Sequence, residues 1–515
     1  MTAAAKMQER ILRGAADARI YDLVRETPLT YMPSLSRLCA NRVCIKREDL
    51  QPVFSFKIRG AFYKMMRLGA ARRKRGVVAA SAGNHAQGVA LAARHLGCPA
   101  TIFMPKHTQR IKTSAVRAFG ARVVLAGGSF EEAASAAMAM AKENGATYIP
   151  PFDDADIITA NATIGAEILR HHPEPLRAVF CAVGGGGLIA GVAAYIKALR
   201  PQTKIIGVEA DESASMTASM TAGRLITLPS SGIFADAVAV RRPGKLPFML
   251  AKAFVDEMIV VGNDEICAAV KDLYDDTRVI FEPAGALAAA GLKKHAAKKQ
   301  WRGQSVVALA CGANMNFDRL RFVAERAEIG ENREALFAAT IPEAPGSFRK
   351  FCALIGQRNI TEFNYRMGDS ADAQIFVGVE TGGVAERGEL LKKLRAAGLP
   401  TLDLTGDEMA KLHLRHLVGG RANADNEILY RFEFPERPGA LMNFLAGLNS
   451  AGRQWNISLF HYRNHGADAG RVLAGVQVPP PERAKFAAFL RGLGYLFYDE
   501  TDNPAYRLFL SQRRV

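Results

Sequence analysis

The sequence predicts an α/β protein in two parts, an N-terminal region of two parallel-sheet α/β units and a C-terminal region of two small α+β repeats. Three observations carry that expectation. Short β-rich apolar runs alternate with helical patterns from about residue 75; four consecutive glycines lie between an apolar strand and a helix; and a Pro-Gly motif beyond residue 330 occurs twice in matching context.

The first unit opens with Val77-Val78-Ala79-Ala80, a strand that enters a loop at Gly83 and then an alanine-rich helix towards Leu96. Thr101-Ile102-Phe103-Met104 begins the next pair, with a helix ending near Phe119, and Val123-Val124-Leu125 precedes a helix over 130–144. The second unit starts at Val179-Phe180-Cys181-Ala182-Val183, passes through the glycine run into a helix to Leu199, and continues with Ile205-Ile206-Gly207-Val208-Glu209. It closes with Val306-Val307-Ala308-Leu309-Ala310 and the turn Cys311-Gly312-Ala313-Asn314. Two such units leave a cleft between them, the usual place for a small-molecule site. The expected boundaries are 1–330 for this region, with a smaller unit at roughly 55–155.

Beyond it, Ile341-Pro342-Glu343-Ala344-Pro345-Gly346 recurs as Phe434-Pro435-Glu436-Arg437-Pro438-Gly439, an offset of 93 (435 − 342). Asn359-Ile360 with Asn364-Tyr365-Arg366 recurs as Asn456-Ile457 with His461-Tyr462-Arg463, an offset of 97 (456 − 359). The difference is a loop-sized insertion, and each copy suits a β-α-β-β-α-β unit whose Pro-Gly turn frees backbone donors at a helix start. The repeats are expected at 335–425 and 428–515, as a paired module for small molecules.

Composition narrows the class. With 515 residues, 49% hydrophobic and 23% charged, the chain has ample core and no disordered character. The net charge of +17 is dispersed; its densest cluster, Arg72-Arg73-Lys74-Arg75, is short and expected between a helix and a strand. Seven cysteines, an odd number without Cys-x-x-Cys spacing, argue against a disulfide framework or a metal site and for a reducing compartment. No run of about 20 apolar residues and no transit-peptide character appear, so the cytoplasm is expected, with no membrane and no nucleic-acid partner.

The chemistry gathers around Lys57, in Ser55-Phe56-Lys57-Ile58-Arg59-Gly60-Ala61. A buried lysine can act as a nucleophile towards a carbonyl, and Phe56 can pack on a flat heteroaromatic ring. Gly184, Gly185, Gly186 and Gly187 can point successive N–H groups at a phosphate. The loop Ser81-Ala82-Gly83-Asn84-His85 offers further donors to an anionic oxygen, and no paired Ser or Asp gives His85 a catalytic-base setting. Two other readings stay open. Gly185-x-Gly187-x-x-Ala190 with Glu209 fits a dinucleotide fingerprint, hence an NAD-dependent oxidoreductase; the positive charge with the sensing repeat fits an amino-acid-responsive DNA-binding regulator, although no helix-turn-helix is visible.

Lys46-Arg47-Glu48-Asp49, the Lys57 motif, Ser81-Ala82-Gly83-Asn84-His85-Ala86-Gln87-Gly88, the glycine run with Leu188, Glu282-Pro283-Ala284-Gly285-Ala286 and Cys311-Gly312-Ala313-Asn314, in this order, resemble the biosynthetic threonine dehydratases (threonine ammonia-lyases), fold-type II pyridoxal phosphate enzymes. The resemblance spans residues 20–330, and the doubled module resembles that family's ACT-like regulatory domain with two ferredoxin-like repeats. It implies that Lys57 carries pyridoxal 5'-phosphate covalently, with Phe56 against the ring and Asn84 on the ring hydroxyl. Gly184, Gly185, Gly186, Gly187 and Leu188 would bind the phosphate, and Cys311 would face the pyridine nitrogen. Ser81, Ala82, Gly83, Asn84 and His85 would hold the carboxylate of L-threonine, with L-serine as a second candidate substrate. It further implies deamination to 2-oxobutanoate and ammonia in isoleucine biosynthesis, inhibition by isoleucine opposed by valine with Tyr365 and Tyr462 as effector contacts, and a homotetramer. Departures are Cys311 in place of serine, Ala160-Asn161-Ala162-Thr163 in place of a Gly-Gln-Gly-Thr-like stretch, and Phe54 in place of a polar residue.

Overall fold

Parallel strands need crossover connections long enough to hold a helix, and the alternating rhythm of the N-terminal region supplies them. The computed structural model describes residues 2–510 except 233, 332, 368–370, 408–409, 412–413, 417–421, 423, 436–439, 449–454, 464–468, 504–505 and 507–509. The chain divides into two compact units, 1–330 and 331–515.

Unit 1 contains two sheets. The smaller is wholly parallel, in the order Arg122–Leu125, Ala100–Met104, Val77–Ala80, Thr147–Tyr148. The larger runs Leu29–Tyr31, Arg42–Arg47, Ser305–Ala310, Ala178–Ala182, Lys204–Ala210, Glu257–Val261, and only its first pair is antiparallel. Its central strands are buried on both faces, as continuous runs such as Val306 to Ala310 require. The basic cluster at 72–75 lies, as expected, between a helix, Lys57–Met66, and a strand, Val77–Ala80; it forms the end of the short helix Ala70–Arg75, which buries no residue.

One feature of unit 1 is a fully buried polar quartet. Lys46, Glu48, Arg59 and Glu167 have no exposed surface. Arg59 Nε and Nη2 donate to Glu48 at 2.8 and 2.7 Å, and Nη1 and Nη2 donate to Glu167 at 2.6 and 2.9 Å. Lys46 Nζ donates to Glu167 at 2.5 Å and to the Thr27 carbonyl. Burial opposes the charge on Arg59, but the two carboxylates outweigh it and hold its pKa above the ordinary value. Two cations against two anions, with each charged end hydrogen-bonded, make an arrangement that tolerates burial. The quartet ties the first turn of the helix Lys57–Met66 to the strand Arg42–Arg47 and the helix Ala155–His171.

Among the described residues, unit 2 has one eight-stranded antiparallel sheet built from both repeats, joined where Ile360–Arg366 pairs with Asn456–Arg463. The repeat extends to buried and half-buried polar contacts. Thr361 Oγ1 donates to Glu334, and Ser458 Oγ donates to Glu427 at 2.5 Å; Leu336 N donates to Thr405 Oγ1 and Leu429 N to Thr501 Oγ1, each at 3.0 Å. The expected second Pro-Gly turn, 436–439, lies outside the described residues.

Candidate active site

Lys57 opens the helix Lys57–Met66 and is half-buried. Its Nζ donates to the Pro151 carbonyl at 3.0 Å and lies 5.2 Å from the centre of the Phe56 ring. Burial pulls its pKa down to about 8, while Cys311 and Glu282 pull the other way. The segment before it is pinned to the turn after the strand Ser305–Ala310: Phe56 N donates to Cys311 O at 3.2 Å, and Ala313 N donates to Phe54 O at 2.9 Å. Phe54 takes a left-handed conformation (φ 55°) with its side chain exposed, so the residue that departs from the polar pattern points away from the core.

The glycine run follows the strand Ala178–Ala182 and feeds the helix Gly187–Leu199. Each glycine is required locally. A Cβ on Gly185 would strike the Phe152 ring, one on Gly187 would lie 2.9 Å from Phe152 O, one on Gly184 would lie 2.9 Å from Val238 Cα, and Gly186 has φ 90°. Among the described residues, no acceptor engages the amides of Gly184, Gly185, Gly186, Gly187 or Leu188. Five successive unpaired donors at a helix N-terminus are a concave anion site. Pro151 and Phe152 link the two features, the first holding Lys57 Nζ and the second packing on the glycines.

A second helix start faces the same chemistry. Ser81 and Ala82 lead through Gly83 to the helix Asn84–His95, and the amides of Asn84, His85 and Ala86 also lack an acceptor among the described residues. Gly83 N is occupied by Ser81 Oγ at 3.1 Å. Gly88 lets this helix approach the backbone of Lys57, where a Cβ would sit 3.2 Å away. His85 is buried, and its Nε2 sits 2.9 Å from the Ile149 carbonyl, which fixes the proton on that nitrogen. Burial and then Lys57 drive its pKa down to about 3, so it is a neutral structural imidazole rather than a proton carrier.

Cys311 is buried and its thiol donates to Ala284 O at 3.1 Å; burial pushes its pKa far up, so it stays a thiol. Asn161, in the departing stretch, donates through Nδ2 to Gly187 O at 3.1 Å, which props the first turn below the glycine run. Two contributors had no assigned role in the motif reading. Glu282 is buried, accepts from Asn84 Nδ2 at 2.6 Å and is raised by burial to about 7; Asn314 Nδ2 donates to Asn84 Oδ1 at 2.6 Å. Both stand inside quoted motifs, but only the fold brings them to Asn84.

Glu209 answers the dinucleotide reading. Its carboxylate is buried and spent on Met216 N (2.8 Å), Thr217 N (2.7 Å) and Thr217 Oγ1 (2.6 Å), so it closes a helix start and is not free for a ribose. Among the described residues no group of three or more His, Cys, Asp or Glu side chains is placed to hold a metal ion.

In unit 2, Tyr365 is buried and its hydroxyl donates to Glu343. Both line a small pocket, with room for little more than a water molecule, between the first Pro-Gly turn and Leu445, Leu448, Trp455 and Ile457 of the second repeat. Tyr462 is a core residue of the same sheet and does not line that pocket.

Comparison with known proteins matches residues 20–312 to the family of pyridoxal-phosphate dependent enzymes, and residues 325–414 and 418–510 to the C-terminal regulatory domain of threonine dehydratase. The chain is 51% identical over 504 residues to the biosynthetic L-threonine dehydratase of Burkholderia multivorans, covering 97% of this chain and 99% of that protein. It is 50% identical over 502 residues to the Escherichia coli counterpart, covering 97% of each. Among solved structures it resembles the processed form of threonine deaminase isoform 2 from Solanum lycopersicum, with a TM-score of 0.62 at 45% identity over 62% of this chain and 88% of that one. The maize serine racemase structure is also similar, with a TM-score of 0.57 at 30% identity over 61% of this chain and 97% of the other. The residues present fit the cofactor of this family: a lysine with a depressed pKa, five unpaired amides for a phosphate, and an aromatic ring beside the amine.

Proposed function

This chain belongs to the threonine dehydratase family of pyridoxal-phosphate dependent enzymes, and from that premise we propose that it deaminates L-threonine to 2-oxobutanoate and ammonia. The observation that carries the reading is the run of unpaired amides from Gly184 to Leu188, tied through Pro151 and Phe152 to Lys57. Lys57 would hold the cofactor, with Phe56 for its ring, Asn84 for the ring hydroxyl and the thiol of Cys311 for the pyridine nitrogen. Gly184, Gly185, Gly186, Gly187 and Leu188 would bind the phosphate. Pyridoxal phosphate, when bound, supplies the electron sink that makes the substrate Cα–H acidic.

The residues of the chain do the rest. The helix start at Asn84 and His85 holds the threonine carboxylate, which fixes Cα within reach of Lys57. Lys57 Nζ, once displaced by the substrate amine and uncharged in useful amount near neutrality because burial lowers its pKa, would take the Cα proton; the β-hydroxyl would leave with that proton as water, and the enamine left behind would hydrolyse to 2-oxobutanoate and ammonia. Cys311, whose thiol donates to Ala284 O, is a poor proton donor and would leave a ring nitrogen beside it neutral.

Unit 2 is the sensing module, and we assign isoleucine to the pocket at Tyr365 and Glu343, which must widen to admit it. Its apolar wall suits an aliphatic side chain, and the start of the helix Ser347–Ile355 suits a carboxylate. Valine opposes isoleucine by binding the other global state better. The buried, unpaired cysteines suit a reducing cytoplasm, no helix among the described residues is long and apolar enough to cross a membrane, and a homotetramer follows by family analogy. The test is a 2-oxo acid assay with threonine or serine, with and without isoleucine, on the full chain and on a chain ending at Arg333. Threonine turnover in both, with isoleucine inhibition in the full chain alone, is expected; inhibition retained in the short chain refutes the assignment to unit 2.

A further inference from the structure

Asn84 is held by a chain of contacts whose polarity can be worked out from one end. The Val53 carbonyl can only accept, so the Asn314 atom 2.8 Å from it is Nδ2. The other N–H of that nitrogen reaches Asn84 at 2.6 Å, and the atom it meets must be the acceptor Oδ1. Asn84 Nδ2 is thereby turned to Glu282 Oε1 at 2.6 Å, with one N–H left over. The opposite amide orientation would set two donors together at one end and an amide oxygen against a carboxylate at the other.

The carboxyl end of the chain is built as firmly. Glu282 stands at the N-cap position of the helix Pro283–Lys299 without a side-chain capping bond, its own N–H donates to Gly312 O at 3.3 Å, and a Cβ on Gly312 would collide with Glu282 Oε1. Gly312 therefore keeps the space that the carboxyl fills. Since Oε1 accepts whether Glu282 is ionised or not, the orientation of Asn84 does not depend on its protonation.

We propose that Asn314 and Glu282 are positioning residues that lock the Asn84 amide in one orientation and so aim its remaining N–H at the ring hydroxyl of bound pyridoxal phosphate. The inference rests on the reading of Asn84 given above.

The test measures the affinity of full-length apoenzyme for pyridoxal phosphate by absorbance titration, together with the visible spectrum, kcat and KM of the loaded enzyme. Asn314→Ala and Glu282→Ala should each weaken cofactor binding roughly tenfold, the loss of one oriented hydrogen bond, and displace the visible band. Glu282→Gln, which keeps an acceptor for Asn84, should stay within about threefold of the parent in affinity. These effects should fall on cofactor affinity and kcat with KM little changed, and an unaltered unfolding midpoint of each apoenzyme excludes general damage. Asn84→Ala separates the two levels. If it binds the cofactor as the parent does, the role of Asn84 is wrong; if it weakens binding while Asn314→Ala and Glu282→Ala do not, the relay is overturned. Failure of Glu282→Gln to restore what Glu282→Ala loses also overturns it.

Discussion

Two lysines of unit 1, Lys46 and Lys57, are both held below the ordinary lysine pKa by burial, yet the structure treats them in opposite ways. Lys46 is locked between Glu167 and the Thr27 carbonyl, inside a quartet whose charges cancel. Lys57 has a single carbonyl partner, and its surroundings hold unpaired donors. Burial alone therefore does not make a lysine reactive. What separates the two is saturation: a polar group whose partners are all supplied by the fold is structural, and one whose neighbours are left unpaired awaits a ligand.

The sharpest way to break the comparison is chemical. Lys57→Ala should abolish both turnover and the visible absorbance of the bound cofactor. Borohydride treatment of the parent enzyme should fix a pyridoxyl group on Lys57 and leave Lys46 unmodified by peptide mass spectrometry. Modification of Lys46 would show that saturation does not protect it.

A smaller effect tests the structural side. Arg59→Met leaves Glu48 and Glu167 with Lys46 as the remaining cation of the quartet, and breaking such a buried set should cost about 3–5 kcal/mol in urea unfolding of the apoenzyme. Lys57→Ala, which removes one hydrogen bond from a half-buried side chain, should cost about 1 kcal/mol. Equal costs would erase the distinction between the two clusters.

How far this contrast was legible in the sequence depends on which contacts are local. The strand and helix order of unit 1 follows from hydrophobic rhythm, and the structure places Val77–Ala80, Phe130–Asn144 and Gly187–Leu199 where that rhythm puts them. Lys57 and the glycine run are visible because each announces itself within a few residues. Glu167 is not, because a carboxylate in mid-helix carries no local sign that a distant arginine and lysine will close on it. The same holds for Glu282 and Asn314, which lie in recognisable motifs but acquire a task only when the fold sets both on Asn84. In unit 2 the repeat is readable, whereas the merging of both copies into one sheet depends on edge pairing between Ile360–Arg366 and Asn456–Arg463 that no single strand encodes.

The mildest prediction concerns pH, and it sharpens the comparison without changing a residue. Cofactor capture needs the uncharged amine. With Lys57 at about 8, that form makes up roughly a tenth of the enzyme at pH 7, against well under a thousandth for a lysine at its ordinary value. Below pH 8 each unit of pH should raise the capture rate of the apoenzyme about tenfold, and above it the rate should level off because the amine is already free. Glu282, raised to about 7 and neighbouring Lys57, gains charge across the same range and favours the ammonium, so the rise should be slightly shallower than tenfold per unit near neutrality. In Glu282→Gln that shallow region should straighten and the plateau begin at lower pH. Stopped-flow absorbance across pH 6 to 10 reads both features. A capture rate still climbing tenfold per unit beyond pH 9 would mean that the half-buried position of Lys57 leaves its amine as basic as one in water, and the saturation argument would lose its reactive member.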